Sequence, residues 1–220
     1  MMQEYVAVVK DEYREIFRDS VFVPDELAGK HLNDVELCLE SEFKKREEVE
    51  GNNLYLQLVS YTFLINPKKR KIFVARRAGG EERLNNLYCV GFGGHVNIGD
   101  FKIDDNEEPN PVVKAAIREL KEELKLGRDA LELKHIGYIR DLYSNTSEHL
   151  GSVFYLETSS ASILEKDKLA DGRWTDYDEF KLKCYPRLES WSKAIFDFIY
   201  ESPKYKSIFR FDTVPNQGEV

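Results

Sequence analysis

The sequence has few cysteines, no long apolar run and no excess of positive charge. Its three cysteines, Cys38, Cys89 and Cys184, are odd in number and far apart within 220 residues, which argues against a disulfide framework or a CxxC metal knuckle. No apolar stretch approaches the roughly 18 to 20 residues that cross a bilayer. We therefore expect buried thiols and no contact with a membrane.

The charge balance and the first residues narrow the class of protein further. The start MMQEYVAVVKDEY lacks the basic patch and the long apolar segment of a signal peptide, so we expect a cytoplasmic protein. With 40 acidic against 32 basic residues the formal charge is -8, which argues against a broad nucleic-acid-binding surface. A metal site that binds small phosphates remains compatible with this charge, and whether the chain forms a homodimer stays open.

The sequence is 42% hydrophobic and 12% aromatic, which is enough apolar side-chain surface for a sizeable core. Its β-prone runs predict strands over 5–9, 54–65, 72–75, 87–92, 132–143 and 151–158. Helical signals predict helices over 11–18, from Asn33 through Leu37 and Phe43 into the KKREEVE segment, over 111–125 and over 186–200. We expect one α+β domain, with a core over 51–202, an N-terminal extension over 1–50 packed on it and a polar tail over 203–220.

The helix over 111–125 is the best-marked element. Asn110 suits its N-cap, Pro111 its first turn and Gly127 its end. The predicted buried stripe is Val113, Ala116, Ile117, Leu120 and Leu124.

Three glutamates share one face of this helix. Glu119, Glu122 and Glu123 stand at i, i+3 and i+4, where like charges repel by a few tenths of a kcal/mol per pair. A bound divalent cation gives a reason to concentrate them, and Arg118 can reach Glu122 and orient it. The ordinary alternative is a solvated acidic face.

A glycine pair precedes the helix in the segment GFGGHVNIGD. Gly93 and Gly94 follow directly on a predicted strand, and glycine allows backbone groups to approach a ligand closely. A plain turn would explain the glycines alone, but not their coupling to the acidic helix.

These two features together resemble the Nudix hydrolases, whose signature is G-x5-E-x7-R-E-U-x-E-E-x-G-U, with U an aliphatic residue. The resemblance covers Gly94 to Leu126, with Asp100 in place of the first glutamate and Lys125 in place of the second glycine. The segment RELKEELKL matches the rest, and the segments GGEERL and RLESWS look similar to a bacterial branch of predicted Nudix phosphoesterases.

The chain departs from the signature mainly by ten extra residues, roughly FKIDDNEEPN over 101–110. We expect this insertion at the surface, because loop-closure entropy grows slowly with length. Its acids should not be metal ligands; they are Asp104, Asp105, Glu107 and Glu108. Asp100 keeps a carboxylate that can pair with Arg118, as the resemblance implies for this position.

The resemblance implies a Nudix fold, a mixed β-sheet between α-helices, and hydrolysis of a phosphoanhydride bond in a nucleoside di- or triphosphate or a related nucleoside diphosphate derivative. It implies Mg²⁺ or Mn²⁺, held by the carbonyl of Gly94 and by Glu119, Glu122 and Glu123. Nudix enzymes differ in their general base. Glu119 is the first choice here, with Glu148 as the distal candidate and His149 as a further one.

Substrate contacts are less constrained by the sequence. Arg76 and Arg77, at the end of a predicted strand, could bind phosphates, or they could be surface arginines. Tyr88 and Tyr143 could stack on a base, although aromatic residues of strands mostly lie in the core. The competing hypothesis from another class is a Nudix-fold nucleotide sensor or scaffold without turnover, which would ordinarily have lost metal-binding glutamates that this chain keeps.

Overall fold

The computed structural model describes residues 4–29, 32–52, 54–79, 84–102, 110–127, 131–143 and 147–209. The strands, in chain order, are β1 (Tyr5–Lys10), β2 (Phe22–Pro24), β3 (Glu42–Lys45), β4 (Tyr55–Asn66), β5 (Lys71–Arg77), β6 (Tyr88–Cys89), β7 (Gly91–Phe92), β8 (Leu124–Leu126), β9 (Leu133–Ile139), β10 (His149–Glu157), β11 (Ala161–Ile163) and β12 (Leu169–Asp176). The helices are α1 (Asp25–Ala28), α2 (Asp34–Glu40), α3 (Arg46–Val49), α4 (Pro111–Glu123), α5 (Tyr177–Lys183), α6 (Ser190–Glu201) and α7 (Pro203–Phe209), with 3-10 turns at Arg14–Phe17, Ile98–Phe101 and Tyr185–Arg187.

The main sheet has β4 near its centre. Its strands run in the order β12-β5-β4-β10-β9-β2, and β4 pairs with β10 in parallel, whereas the other neighbours in this order are antiparallel. The strands predicted over 54–65 and 72–75 are present as β4 and β5, and they form an antiparallel hairpin in which Ile65 and Asn66 pair with Ile72 and Lys71.

Helices cover both faces of this sheet, which explains why β4 is buried almost throughout. On one face, Leu56 and Leu58 pack with Ala115 and other small residues of α4. On the other, Phe63 packs with α6 and α7, including Ile195. The predicted fold class, a mixed sheet between helices, is confirmed.

The N-terminal residues enter the sheet as well as packing on it. β1 pairs with β4 on one side and β3 on the other, and β2 forms an edge next to β9. The single helix expected from Asn33 was wrong: α2 ends at Glu40, and Phe43 lies in β3. Asn33 does cap α2, accepting a hydrogen bond from the amide of Val35 at 2.9 Å.

Three further expectations need correction. The helix expected over 11–18 is only the 3-10 turn Arg14–Phe17, and the buried stripe of α4 includes Val112 and Ala115, with Val113 and Ile117 only partly buried. The tail expected from 203 begins instead with α7, because Tyr205 and Phe209 are buried in the core.

Some expectations concern residues outside those the structure describes. They are the insertion over 103–109, with its four acids, and the tail from 210 onwards. Within the described ranges no helix is long and apolar enough to span a membrane. Cys89 and Cys184 are buried as expected, and Cys38 is partly buried.

Candidate active site

The glycine pair and α4 meet where the chain leaves β7. Gly93 has φ 153°, and a Cβ there would lie 2.2 Å from the carbonyl oxygen of Ser60, so a larger residue would clash with the backbone of β4. A Cβ on Gly94 would lie 2.7 Å from Oε1 of Glu119. The two glycines therefore let the loop pass between the central strand and the acidic helix, and the coupling that the sequence suggested is present in the fold.

Glu123 is a buried carboxylate beside this loop, with only 6% of its surface exposed. The backbone N–H of Gly93 donates to its Oε2 at 3.0 Å. Burial raises the pKa of the Glu123 carboxyl to about 8, with Arg77 opposing the shift and Glu119 adding to it. Burial also raises the pKa of Glu119, against the opposing effect of Arg118.

Arg118 ties the loop, the helix and the turn together. Its Nε and Nη2 donate to the two carboxylate oxygens of Asp100 at 3.1 Å each, and Nη2 also donates to the carbonyl of His95 at 2.8 Å. Its Nη1 donates to Oε1 of Glu119 at 2.6 Å but stays 3.6 Å from Glu122. The expected Asp100–Arg118 pair is thus present, and the arginine orients Glu119 more closely than Glu122.

These acids suit a hard divalent cation, although they are spread out. Across the described ranges, no three acidic, histidine or cysteine side chains converge closely enough to hold an ion. The side chain of Glu122 is 58% exposed, and the carbonyl of Gly94 accepts the amide of Ser60 at 2.9 Å. The donors are nevertheless all oxygens, and buried Glu123 forms no ion pair with another described residue, so Mg²⁺ or Mn²⁺ would supply its counter-charge.

A cleft with room for about 170 Å³ opens from the glycine loop across the other face of β4. Gly93 and Gly94 form one end, and Arg46, His149 and Trp191 line it farther along. The loop therefore separates the acidic helix from a cavity whose walls carry several hydrogen-bond donors.

The adjacent arginines of β5 have different surroundings, because successive strand residues face opposite sides. Arg77 lines the cleft, and its Nε donates to Glu189 at 3.0 Å. Arg76 does not line it and instead donates to Asp171 at 2.6 Å and to Asn86 at 2.7 Å. Of the two predicted phosphate-binding residues, the structure brings only Arg77 to the cleft.

The histidines and the distal acid occupy distinct places. His149 lines the cleft, and its ring centroid lies 5.3 Å from that of His95. Nε2 of His95 lies 2.9 Å from Oε1 of Gln57. Burial lowers the pKa of His95 to about 3, and His149 adds to the shift, so the ring is neutral at ordinary pH. Glu148 is buried immediately before β10 but does not line the cleft.

The two tyrosines considered for base stacking lie away from the cleft walls. Tyr143 is 84% exposed and belongs to no strand. Tyr88 is partly buried, with the guanidinium groups of Arg173 and Arg187 each within 6 Å of its ring. Neither tyrosine is brought to the site.

Several neighbours of the site were missed from the sequence. Lys168 pairs with Glu165 at 2.7 Å, and its pKa is raised by Glu165 first and also by Glu123 and Glu119. The amide of Leu164 donates to the carbonyl of Glu123 at 2.8 Å, which fixes this loop against the end of α4. No local pattern marks such a contact, because it joins segments about 40 residues apart.

Comparison with solved structures identifies the fold. The crystal structure of Tm1382, presented there as a candidate Nudix hydrolase, matches with a TM-score of 0.67 at 23% sequence identity, covering 94% of this chain and 100% of that chain. A MutT NUDIX hydrolase from Burkholderia pseudomallei has a TM-score of 0.46 at 15% identity, over 64% of this chain and 95% of that chain, which is too low to carry weight.

Comparison of sequences adds one relative. Protein YmaB of Bacillus subtilis (strain 168) is 28% identical over 162 residues, which are 70% of this chain and 76% of that protein. No protein-family profile matches the sequence. The structural match to Tm1382 confirms, for the fold, the Nudix resemblance that the sequence shows between Gly94 and Leu126.

Proposed function

We propose that this chain, whose fold is that of the Nudix hydrolases, is a metal-dependent hydrolase. The bond cleaved would be a phosphoanhydride in a nucleoside di- or triphosphate or a related nucleoside diphosphate derivative. One observation carries the proposal: the carboxylates of partly buried Glu119 and buried Glu123 pack against a glycine loop that opens into a cleft containing Arg77. Carboxylates, a close-approach loop and a guanidinium are the groups that phosphoryl chemistry requires.

The residues that would hold Mg²⁺ or Mn²⁺ are Glu119, Glu122 and Glu123, with the carbonyl of Gly94. When bound, the cation would neutralise the phosphates, orient in-line attack and lower the pKa of a water molecule. Glu122 would have to turn from its exposed position towards its neighbours, a rotation that an exposed side chain makes readily.

The chain's own groups prepare the site around those ligands. Arg118 fixes the orientation of Glu119, and the N–H of Gly93 fixes Glu123. Glu119 is our choice of general base, because burial raises its pKa and Oε2 is not used by Arg118. Arg77 would bind a phosphate oxygen through charge-assisted hydrogen bonds. Glu148, away from the cleft lining, and His149, within it, remain the other candidates for the base.

The test is phosphate release from a panel of nucleotides, dinucleoside polyphosphates and nucleotide sugars, with and without magnesium. We expect release from at least one of them, dependent on magnesium and lost in Glu123→Gln. The matched control is Glu132→Gln, which changes an exposed glutamate directly before β9 and should behave as the wild type. Nucleotide binding without release from any compound would support the sensor or scaffold instead.

A further inference from the structure

A second buried carboxylate lines the cleft and has no part in the proposed metal site. Glu189, at the start of α6, is only 5% exposed. Its Oε1 accepts hydrogen bonds from the hydroxyl of Tyr61 at 2.8 Å and from Ser192 at 3.0 Å, and its Oε2 accepts from Nε of Arg77 at 3.0 Å. The three donors come from β4, α6 and β5, so the carboxylate joins three elements at the cleft wall.

This network leaves one edge of Arg77 available. Glu189 engages the Nε side of the guanidinium, while Nη1 has no hydrogen-bond partner within the described part of the chain. A guanidinium presents its donors as a planar fork, so fixing one edge fixes the direction of the other. The charge of Arg77 also opposes the rise in the pKa of Glu123, so the guanidinium lies within electrostatic reach of that carboxylate.

The partners of Glu189 are themselves held in place. The hydroxyl of Tyr61 and Oγ of Ser192 are 2.7 Å apart, and Ser192 accepts the amide of Val90 at 3.0 Å. Ser192 is fully buried and Tyr61 nearly so, so these groups have little freedom to follow a moving carboxylate. A rigid acceptor of this kind sets the position of a flexible arginine side chain.

We propose that Glu189 is a positioning residue, which acts with Tyr61 and Ser192 to aim the Nη1 edge of Arg77 at a phosphate oxygen of the substrate. This rests on the proposed function for the identity of the substrate. The phosphate at Arg77 would lie beside, and not between, the carboxylates that hold the cation. The arrangement orients the charge of Arg77 before binding, so less side-chain freedom is lost when the substrate arrives.

The test measures the binding of inorganic pyrophosphate with magnesium to the full chain by titration calorimetry. Arg77→Met should weaken binding about 10- to 100-fold, the range expected for loss of a charge-assisted hydrogen bond. Glu189→Gln should weaken it about 10-fold, because the carboxamide still accepts from Tyr61 but presents an N–H or a neutral oxygen to Arg77. Arg18→Met is the charge-matched control: it removes one exposed arginine paired with Glu15 and should change nothing.

The decisive comparison is the double variant. If Glu189 acts through Arg77, Glu189→Gln has no further effect in the Arg77→Met background. An equal loss in both backgrounds, or no loss in either, would overturn the proposal, as would failure of the wild type to bind pyrophosphate. Tyr61→Phe keeps the carboxylate and removes one of its donors, so it gives a second, milder variant whose smaller loss should also vanish without Arg77.

Failure of this inference and failure of the proposed function are distinguishable. Absence of magnesium-dependent release with every compound of the panel would refute the hydrolase, even where pyrophosphate binding shows the Arg77–Glu189 coupling. Where release occurs, Glu189→Gln should raise KM more than it lowers kcat. A uniform loss of kcat with unchanged KM would mean a general structural role and would count against a positioning residue.

Discussion

Glu123, beside the glycine loop, and Glu189, in the cleft wall, are both buried, but their negative charges are compensated very differently. The carboxylate of Glu189 accepts hydrogen bonds from Tyr61, Ser192 and Arg77, so a guanidinium and two hydroxyls compensate its negative charge. The carboxylate of Glu123 accepts one hydrogen bond, from the N–H of Gly93, and the charges of Glu119 and Glu165 repel it. The first carboxylate is fully paired in the folded chain, whereas Glu123 forms no ion pair with a described residue and the attraction of Arg77 does not offset its burial.

This difference distinguishes Glu189, a structural carboxylate, from Glu123, whose charge needs a ligand to compensate it. Burying a charge costs several kcal/mol unless it is paired, so an unpaired group persists only where something else compensates it. In the metal-free protein, protonation removes the charge of Glu123, because burial raises its pKa to about 8. In the proposed enzyme a divalent cation compensates that charge instead, and each prediction below asks whether the two glutamates really differ in this way.

The largest expected effect is on turnover. Glu123→Gln keeps the volume of the side chain but removes an anionic oxygen, which a hard cation requires. Turnover should fall by more than the roughly 10- to 100-fold typical of residues that only support metal ligands. Initial rates at saturating magnesium and substrate give the measurement, with Glu189→Gln as the comparison. Equal losses in the two variants would erase the distinction between the sites.

A smaller effect is expected at Asp100, which supports the acidic helix through Arg118. Asp100→Asn should lower activity about 10-fold, since Arg118 would lose its charged partner and hold Glu119 less firmly. Asp100→Glu, which places the carboxylate of the Nudix signature at this position, should recover most of the activity. The readout is kcat together with the magnesium concentration for half-maximal rate. An unchanged magnesium requirement in Asp100→Asn would mean that Arg118 does not act through Glu119.

Stability should respond more modestly, and with a sign that depends on magnesium. The raised pKa of Glu123 means that the wild type loses stability as pH rises towards and through about 8, whereas Glu123→Gln does not. At about pH 9 without magnesium, the variant avoids the cost of burying an ionised carboxylate, at least about 1 kcal/mol, so its melting temperature should be higher by at least about 2–4 °C.

With several millimolar magnesium the order should reverse, because the wild type gains more stabilisation from the bound ion. Glu189→Gln should instead lower the melting temperature in both conditions, because it breaks a completed network. Paired melting curves for the three proteins decide this. A wild type that shows no shift with magnesium would mean that Glu123 is an ordinary buried acid.

The sequence predicted the acidic side of the site better than the cleft side. Asn110, the glycine pair and the three glutamates lie within 35 residues, so helical spacing and turn chemistry indicate their arrangement directly. Arg77, by contrast, meets Glu189 only because β5 and α6 meet in space, 112 residues apart in sequence. Periodicity cannot show such a contact, and it could not tell Arg77 from Arg76.

The errors in the fold have a similar origin. Phe43 follows a helical segment without a glycine or proline between them, yet β3 forms there because it pairs with β1. The α7 helix begins at Pro203, in a segment whose polar residues indicated a tail, and the burial of Tyr205 and Phe209 in the core overrides that composition. In both cases tertiary packing outweighed the local signal.

The smallest expected effect is that of the insertion, whose acids are the remaining source of negative charge near α4 in the sequence. One described end of the insertion, Asn110, caps α4 by accepting the amide of Val112 at 2.9 Å, and the other end follows Asp100, which pairs with Arg118. The proposed metal ligands, Glu119, Glu122, Glu123 and the carbonyl of Gly94, form a complete set without the acids of the insertion. Replacing Asp104, Asp105, Glu107 and Glu108 together by Asn or Gln should therefore leave turnover and the magnesium requirement within a few fold of the wild type. A loss as large as that of Glu123→Gln would make the insertion part of the site, and the undercompensated carboxylate would then belong to a larger acidic cluster.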